Sequence, residues 1–189
     1  MAQKNLTAYI ILGMLAHEDA SGYDLKKRID LSVSQFWDVG YGQLYPTLRV
    51  LEQGGFIAGR PVQSEKGPDC IVYAITDSGR QKLAGWLALP EEKESVRYEI
   101  LLKLFFGSLG TPEEAERRIH AFRERQISNL ELIGRLEESL RQVLPANPDH
   151  TYYYLTALFG EHLYRAYVEW AEEAAAVLRK NITGKEETK

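Results

Sequence analysis

The sequence has a single cysteine, Cys70. It cannot close a disulfide within the chain, which suits a reducing compartment. Long apolar runs are missing too. Leu101-Leu102 and Leu104-Phe105-Phe106 are split by Lys103, and neither approaches the ~20 residues that a membrane helix needs. The Met1–Leu6 stretch carries one lysine and leads to no small-residue cleavage site, so no signal peptide is expected. The expected setting is cytoplasmic, with no membrane partner. Positive charge is not in excess: 23 Lys and Arg stand against 27 Asp and Glu, for a net charge of −4. A coat that binds nucleic acid by bulk charge is thereby excluded. The histidines, His17, His120, His150 and His162, are scattered, and one cysteine cannot complete a zinc site. Gly40-Tyr41-Gly42 lacks the third glycine and the preceding strand of a dinucleotide loop. There is no phosphate-binding P-loop, and no Ser-His-Asp or Cys-His set suggests itself. No catalytic residue, metal or cofactor is expected, and the chain does not read as an enzyme.

What the chain does have is strong punctuation. An apolar period spans about Leu6 to His17, with Ile10, Ile11, Met14 and Leu15 on one stripe. Ser21 and Asp24 form a capping pair for a helix from Gly22 to about Val33. A third helix is predicted over 41–53, ended by Gly54-Gly55. The period then shortens. Phe56–Val62 and Cys70–Ile75 read as strands around the turn-rich loop 63–69, and Cys70 is expected as a buried small hydrophobe. Thr76 caps a fourth helix that runs to about Leu87. Three helices, a hairpin and a helix make a winged helix-turn-helix. Pro90–Glu94 reads as a charged linker, dividing 1–90 from 91–189. Residues 1–90 carry nine Lys and Arg and nine Asp and Glu, so the net acidity lies in the second half.

The third helix has two faces. At 100° per residue Leu44, Leu48 and Leu51 share a narrow sector that must face a core. Gly42, Gln43, Pro46, Arg49, Val50 and Gln53 lie opposite, with Tyr45 and Thr47 on the flanks. Gln can pair with adenine, and Arg with guanine or phosphate. An ordinary solvated polar face is the alternative. Pro46 removes a helical hydrogen bond, which suggests that the regular helix begins later than Tyr41. Arg60, Lys66 and Gly67 on the hairpin 57–75 are candidates for backbone phosphate contacts.

Residues 6–88 resemble the PadR family of transcription regulators. The resemblance rests on Ile10-Ile11-Leu12-Gly13-Met14-Leu15, Ser21-Gly22-Tyr23-Asp24-Leu25 and Leu44-Tyr45-Pro46-Thr47-Leu48. It continues through Leu51-Glu52-Gln53-Gly54-Gly55-Phe56-Ile57 and Tyr73-Ala74-Ile75-Thr76-Asp77-Ser78-Gly79. It implies a winged-helix fold, a homodimer and operator binding on double-stranded DNA, most often as a repressor. The DNA-binding residues it implies, together with the face just described, are Tyr41, Gly42, Gln43, Tyr45, Pro46, Thr47, Arg49, Arg60, Lys66 and Gly67. The chain departs from the family at Gly40, where a small hydroxyl residue is usual; glycine supplies no side-chain cap. A twofold dimer would set half-sites one or two turns apart at ~10 bp per turn. The neutral charge of 1–90 keeps open a different class, a winged-helix adaptor that docks a partner protein without binding specific DNA.

The second half is predicted to be helical throughout and resembles the C-terminal domain of the long branch of that family. Tyr98, Leu101, Leu102 and Phe105 form one apolar stripe. Thr111-Pro112-Glu113-Glu114 is a helix start, and that helix should run to Leu144. Ile119, Phe122, Gln126, Asn129, Ile133, Leu136, Leu140 and Val143 alternate by three and four, as in a coiled-coil seam. A last helix, to about Lys180, presents Leu155, Phe159, Leu163, Tyr167 and Trp170. Dimerisation is therefore assigned to Ile119, Phe122, Ile133, Leu136, Leu140, Leu155, Phe159, Leu163, Tyr167 and Trp170. The same faces could instead pack within one chain. The aromatic cluster, including Tyr152, Tyr153, Tyr154 and Tyr164, makes a small aromatic effector a candidate partner.

Overall fold

The computed structural model describes residues 5–34, 36–63, 70–94 and 96–181. The chain divides into two compact units, Met1–Lys93 and Glu94–Lys189.

The first unit begins with α1 (Leu6–His17), β1 (Ala20–Ser21), α2 (Gly22–Ser32) and α3 (Tyr41–Gln53). It continues with β2 (Ile57–Val62), β3 (Cys70–Ile75) and α4 (Asp77–Leu87). Local chemistry sets the boundaries. The Ser21 hydroxyl oxygen accepts from the Asp24 N–H at 3.1 Å and opens α2; the Thr76 hydroxyl oxygen accepts from the Gly79 N–H at 3.1 Å and opens α4. Gly55 ends the α3 turn at φ 70°, a conformation that costs glycine little. α1 buries residues on several sides and serves as the central post. Its Ile11, Leu12 and Leu15 meet Leu25 and Ile29 of α2, Leu44, Leu48 and Leu51 of α3, and Val39 and Ile57 in one core.

The sheet contains a strand that the periodicity did not reveal. β1 pairs antiparallel with β3, Ala20 opposite Tyr73, and β3 pairs antiparallel with β2, Ile57 opposite Ile75 through Val62 opposite Cys70. The order is β1-β3-β2. Pro61 sits in β2, an edge strand, where its missing N–H costs least. Cys70 is exposed, a correction to the buried position expected of it. It lies at the outer end of the β2–β3 ladder, beyond the reach of the core that covers Tyr73 and Ile57. Three helices, a wing and a closing helix form a winged helix-turn-helix.

The second unit comprises α5 (Glu99–Phe105), α6 (Pro112–Val143) and α7 (Pro148–Asn181), with short 3-10 turns at Gly107–Leu109 and Leu144–Ala146. Thr111 and Glu114 form a reciprocal capping box at the start of α6. α6 and α7 run antiparallel. Glu116 meets Arg179 at 3.3 Å, Arg123 meets Glu172, and Glu137 accepts from the Tyr154 hydroxyl at 3.1 Å, so one helix counts up as the other counts down.

Candidate nucleic-acid interface

α3 is held by one side and open on the other. Leu44 and Leu48 are fully buried and Leu51 nearly so. Gly42, Gln43, Tyr45, Pro46, Arg49, Val50 and Gln53 are all exposed. Thr47 is not. It is buried, and its hydroxyl lies 3.4 Å from the Asn5 side-chain amide. Thr47, expected on a flank and counted among the DNA-binding residues, is thus closed off, with Asn5 lying against that flank. The helix also begins at Tyr41, not later. Pro46 lies inside α3, in its second turn, and brings no N–H to the helical ladder. Gly40 caps by backbone alone; its carbonyl accepts from the Gln43 and Leu44 N–H groups, each at 3.0 Å.

α2 braces this helix. A Cβ on Gly22 would come within 2.7 Å of the Tyr45 ring, so the ring lies directly on the first turn of α2. Tyr45 stacks on Tyr41 at 6.0 Å between centroids, and the Lys26 ammonium stands 5.6 Å from the Tyr41 ring centre. At the far end the Glu52 carboxylate accepts from the Gly59 N–H at 3.2 Å, joining α3 to the wing. Burial first, and then the Glu52 charge, pushes the Tyr73 hydroxyl above its ordinary range, so it stays protonated in that joint.

Charge is arranged unevenly. Lys26 is paired with Asp30, Arg28 with Glu18 at 2.7 Å, and Arg60 with Asp19 at 3.4 Å. None of these pairs includes Arg49. Arg60 is exposed on β2, while Lys66 and Gly67 lie outside the described residues. Tyr23, the residue after Gly22, is 66% exposed.

In the second unit the seam residues divide. Ile119 and Phe122 are buried, packed within the same chain against Tyr167, Trp170 and Ala171. Ile133 is buried as well, next to Gly160 of α7. Assigning these positions to contact with a second copy is corrected: α7 itself covers them. Gln126 is buried in the same seam and accepts from the Asn129 amide at 3.3 Å. Leu136, Leu155 and Phe159 remain exposed, Phe159 at 67%, with Leu132, Val143 and Tyr152 alongside them on the same two helices. Leu140 and Leu163 are half-buried. Among the described residues no group of His, Cys, Asp and Glu is placed to hold a metal ion, and no helix is long and apolar enough to cross a membrane.

A two-faced helix braced by its predecessor and followed by a wing defines a winged-helix regulator. Residues 11–85 match the model of the transcriptional regulator PadR-like family, and residues 96–179 match that of the virulence activator alpha C-terminal family. The negative transcriptional regulator PadR of Bacillus subtilis strain 168 is 31% identical over 178 residues, covering 92% of this chain and 97% of that one. The Bacillus subtilis PadR solved in complex with operator DNA superimposes with a TM-score of 0.81 at 29% identity, over 92% of this chain and 99% of that one. The same protein solved with p-coumaric acid gives a TM-score of 0.71 at 29% identity, over 90% and 96%. The chain belongs to the PadR-like family of transcriptional regulators. It is a regulator and not an enzyme.

Proposed function

We propose that the chain is a transcriptional repressor of the cytoplasm that binds operator DNA as a homodimer, with α3 in the major groove and the β2–β3 wing on the backbone. The observation that carries this reading is the division of α3. Leu44, Thr47, Leu48 and Leu51 anchor it, while Gln43 and Arg49 stand on its open side. Gln43 has the donor and acceptor to pair with adenine, and Arg49 the fork for guanine or phosphate. Tyr41 and Tyr45 flank them. Arg60, Lys66 and Gly67 would supply phosphate contacts that carry affinity without sequence preference. The relative solved with operator DNA, and its designation as a negative regulator, support the same assignment.

Residues 1–90 then form the reading head and 91–189 the dimerisation and sensing half. Leu136, Leu155 and Phe159 are among the apolar groups left exposed on α6 and α7, and a second copy would cover them. A small aromatic molecule is the proposed effector, by likeness to the relative solved with p-coumaric acid.

The test is fluorescence anisotropy with the DNA upstream of the chain's own gene, against random duplex, across salt concentrations. Specific DNA should bind more tightly, with log K falling linearly in log salt by about 0.9 per phosphate neutralised. Arg49→Ala should weaken binding and lose about 1–3 kcal/mol of base preference. Arg60→Ala should weaken all sequences alike. Equal affinity of the wild type for upstream and random DNA would overturn the reading. Adding p-coumarate should lower operator affinity if the effector assignment is right.

A further inference from the structure

β2 is an edge strand of the sheet, so one of its sides has no neighbouring strand. The Thr76 N–H donates to the Phe56 carbonyl at 3.1 Å. Bonded pairs therefore fall on alternate residues, Ala58 with Ala74 and Arg60 with Val72, and Gly59 lies between them. Its N–H points away from β3, toward the open edge. Glu52, in the last turn of α3, reaches across and accepts it at 3.2 Å.

The strand is shaped for that bond. A Cβ on Gly59 would stand 2.4 Å from Glu52 Oε1, 2.9 Å from Ile71 Cγ2 and 3.2 Å from Tyr73 Cε1. A glycine here lets the carboxylate come close to the strand backbone. Glu52 itself is exposed, on the helix that carries Arg49 three residues earlier. By charge alone an acid on a helix that meets DNA is unfavourable, because it repels phosphate. Its bond to the wing acts in the opposite sense. Arg60, the phosphate candidate on β2, is the residue after Gly59, so the bond fixes the strand one residue from where the Arg60 side chain leaves it.

We infer that Glu52 is a positioning residue for DNA binding: its bond to the Gly59 N–H sets the wing strand against α3, so that Arg60 reaches backbone phosphate while α3 occupies the groove. This rests on the reading of the chain as a DNA-binding regulator and adds to it an acidic residue that acts through the wing. A carboxylate that is merely solvated makes a different prediction. Its removal relieves repulsion and tightens DNA binding, whatever neutral side chain replaces it.

The experiment compares two variants of the full chain that lose the charge alike. Glu52→Gln keeps an acceptor oxygen; Glu52→Met keeps the length and offers only a weak sulfur acceptor. Hydrogen exchange by NMR, without DNA, reads the bond. The Gly59 amide should exchange at least about fivefold faster in Glu52→Met than in Glu52→Gln, with the Ala58 and Arg60 amides unchanged. Anisotropy on random duplex at low salt reads the consequence, because phosphate contacts carry no sequence preference. Glu52→Met should bind at least about fivefold more weakly than Glu52→Gln, with a salt slope smaller by about 0.9, the share of one phosphate. Arg60→Ala should weaken binding in the Glu52→Gln chain and add little in the Glu52→Met chain. Should Glu52→Met lose helix content by circular dichroism, Gly59→Ala, which displaces the carboxylate from the strand side, takes its place and should give the same losses against wild type. Equal Gly59 exchange in the two variants, equal DNA affinity, or an Arg60→Ala effect of the same size in both overturns the inference. Upstream DNA bound no better than random duplex, with these differences intact, removes the operator reading and leaves the role of Glu52 standing.

Discussion

Gly79 and Gly85 lie on the same helix, α4, six residues apart, yet replacing each with alanine should have opposite effects. In a helix interior alanine is ordinarily better than glycine by about 1 kcal/mol, because it loses less backbone entropy on folding. At Gly85 an added Cβ meets nothing within 4 Å, so Gly85→Ala should gain up to that amount. At Gly79 the same Cβ would lie 2.1 Å from the Phe56 carbonyl oxygen and 2.8 Å from the Ile75 side chain. The first of these is backbone and cannot rotate away. It also accepts the Thr76 N–H at 3.1 Å, while the Gly79 N–H is itself bound by the Thr76 hydroxyl. Relief of the clash must open the root of the wing. Overpacking of this kind costs about 1–3 kcal/mol, and a lost buried hydrogen bond about 1 kcal/mol more. Against the helix gain, Gly79→Ala should destabilise the first unit by about 1–3 kcal/mol. Urea unfolding followed by tryptophan emission in a Trp170→Phe background, which leaves Trp37 and Trp86, the latter on the same helix and stacked 4.7 Å from Tyr9, reads that unit. The midpoint should fall for Gly79→Ala and rise slightly for Gly85→Ala. Midpoints that move in the same direction would refute the close approach of α4 to Phe56.

Leu48→Ala should cost about 2–5 kcal/mol, because the residue is fully buried where α3 meets α1; the same denaturation experiment checks it. Hydrogen bonds from Arg141 first and Tyr154 second hold the Glu137 carboxyl below the usual carboxylate range. A lowered folded pKa stabilises above the unfolded value, near ~4.3, and that stabilisation is lost as pH falls through the folded pKa. Glu137→Gln should therefore lower Tm most at neutral pH and progressively less below about pH 4; a Tm difference constant from pH 7 to pH 3 would contradict this. Phe159→Asp should shift sedimentation of the chain from dimer toward monomer at micromolar concentration with unchanged helix content, and an unshifted profile would move the dimer face elsewhere.

Most element boundaries were legible because they are decided within a few residues. Ser21, Thr76 and Thr111 each place an acceptor over the first turn of the helix that follows, and the structure shows all three bonds. Leu44, Leu48 and Leu51 fall on one side of α3 by arithmetic alone, and they are the buried side. β1 was not legible. Two residues carry no alternation, and their pairing with Val72 and Tyr73 spans about fifty positions of chain.

The sequence by itself determined the periods, the caps and the leucine face, since these depend on neighbours within one or two turns of chain. Tertiary structure decided which flank of α3 would close, and Asn5 before α1 buries Thr47 in a way no helical wheel could tell. It also decided the partner of the α6 seam. A three-and-four spacing is the same whether the covering helix belongs to another copy or to the chain itself, and only the antiparallel return of α7 put Ile119 and Phe122 inside while leaving Leu155 and Phe159 outside.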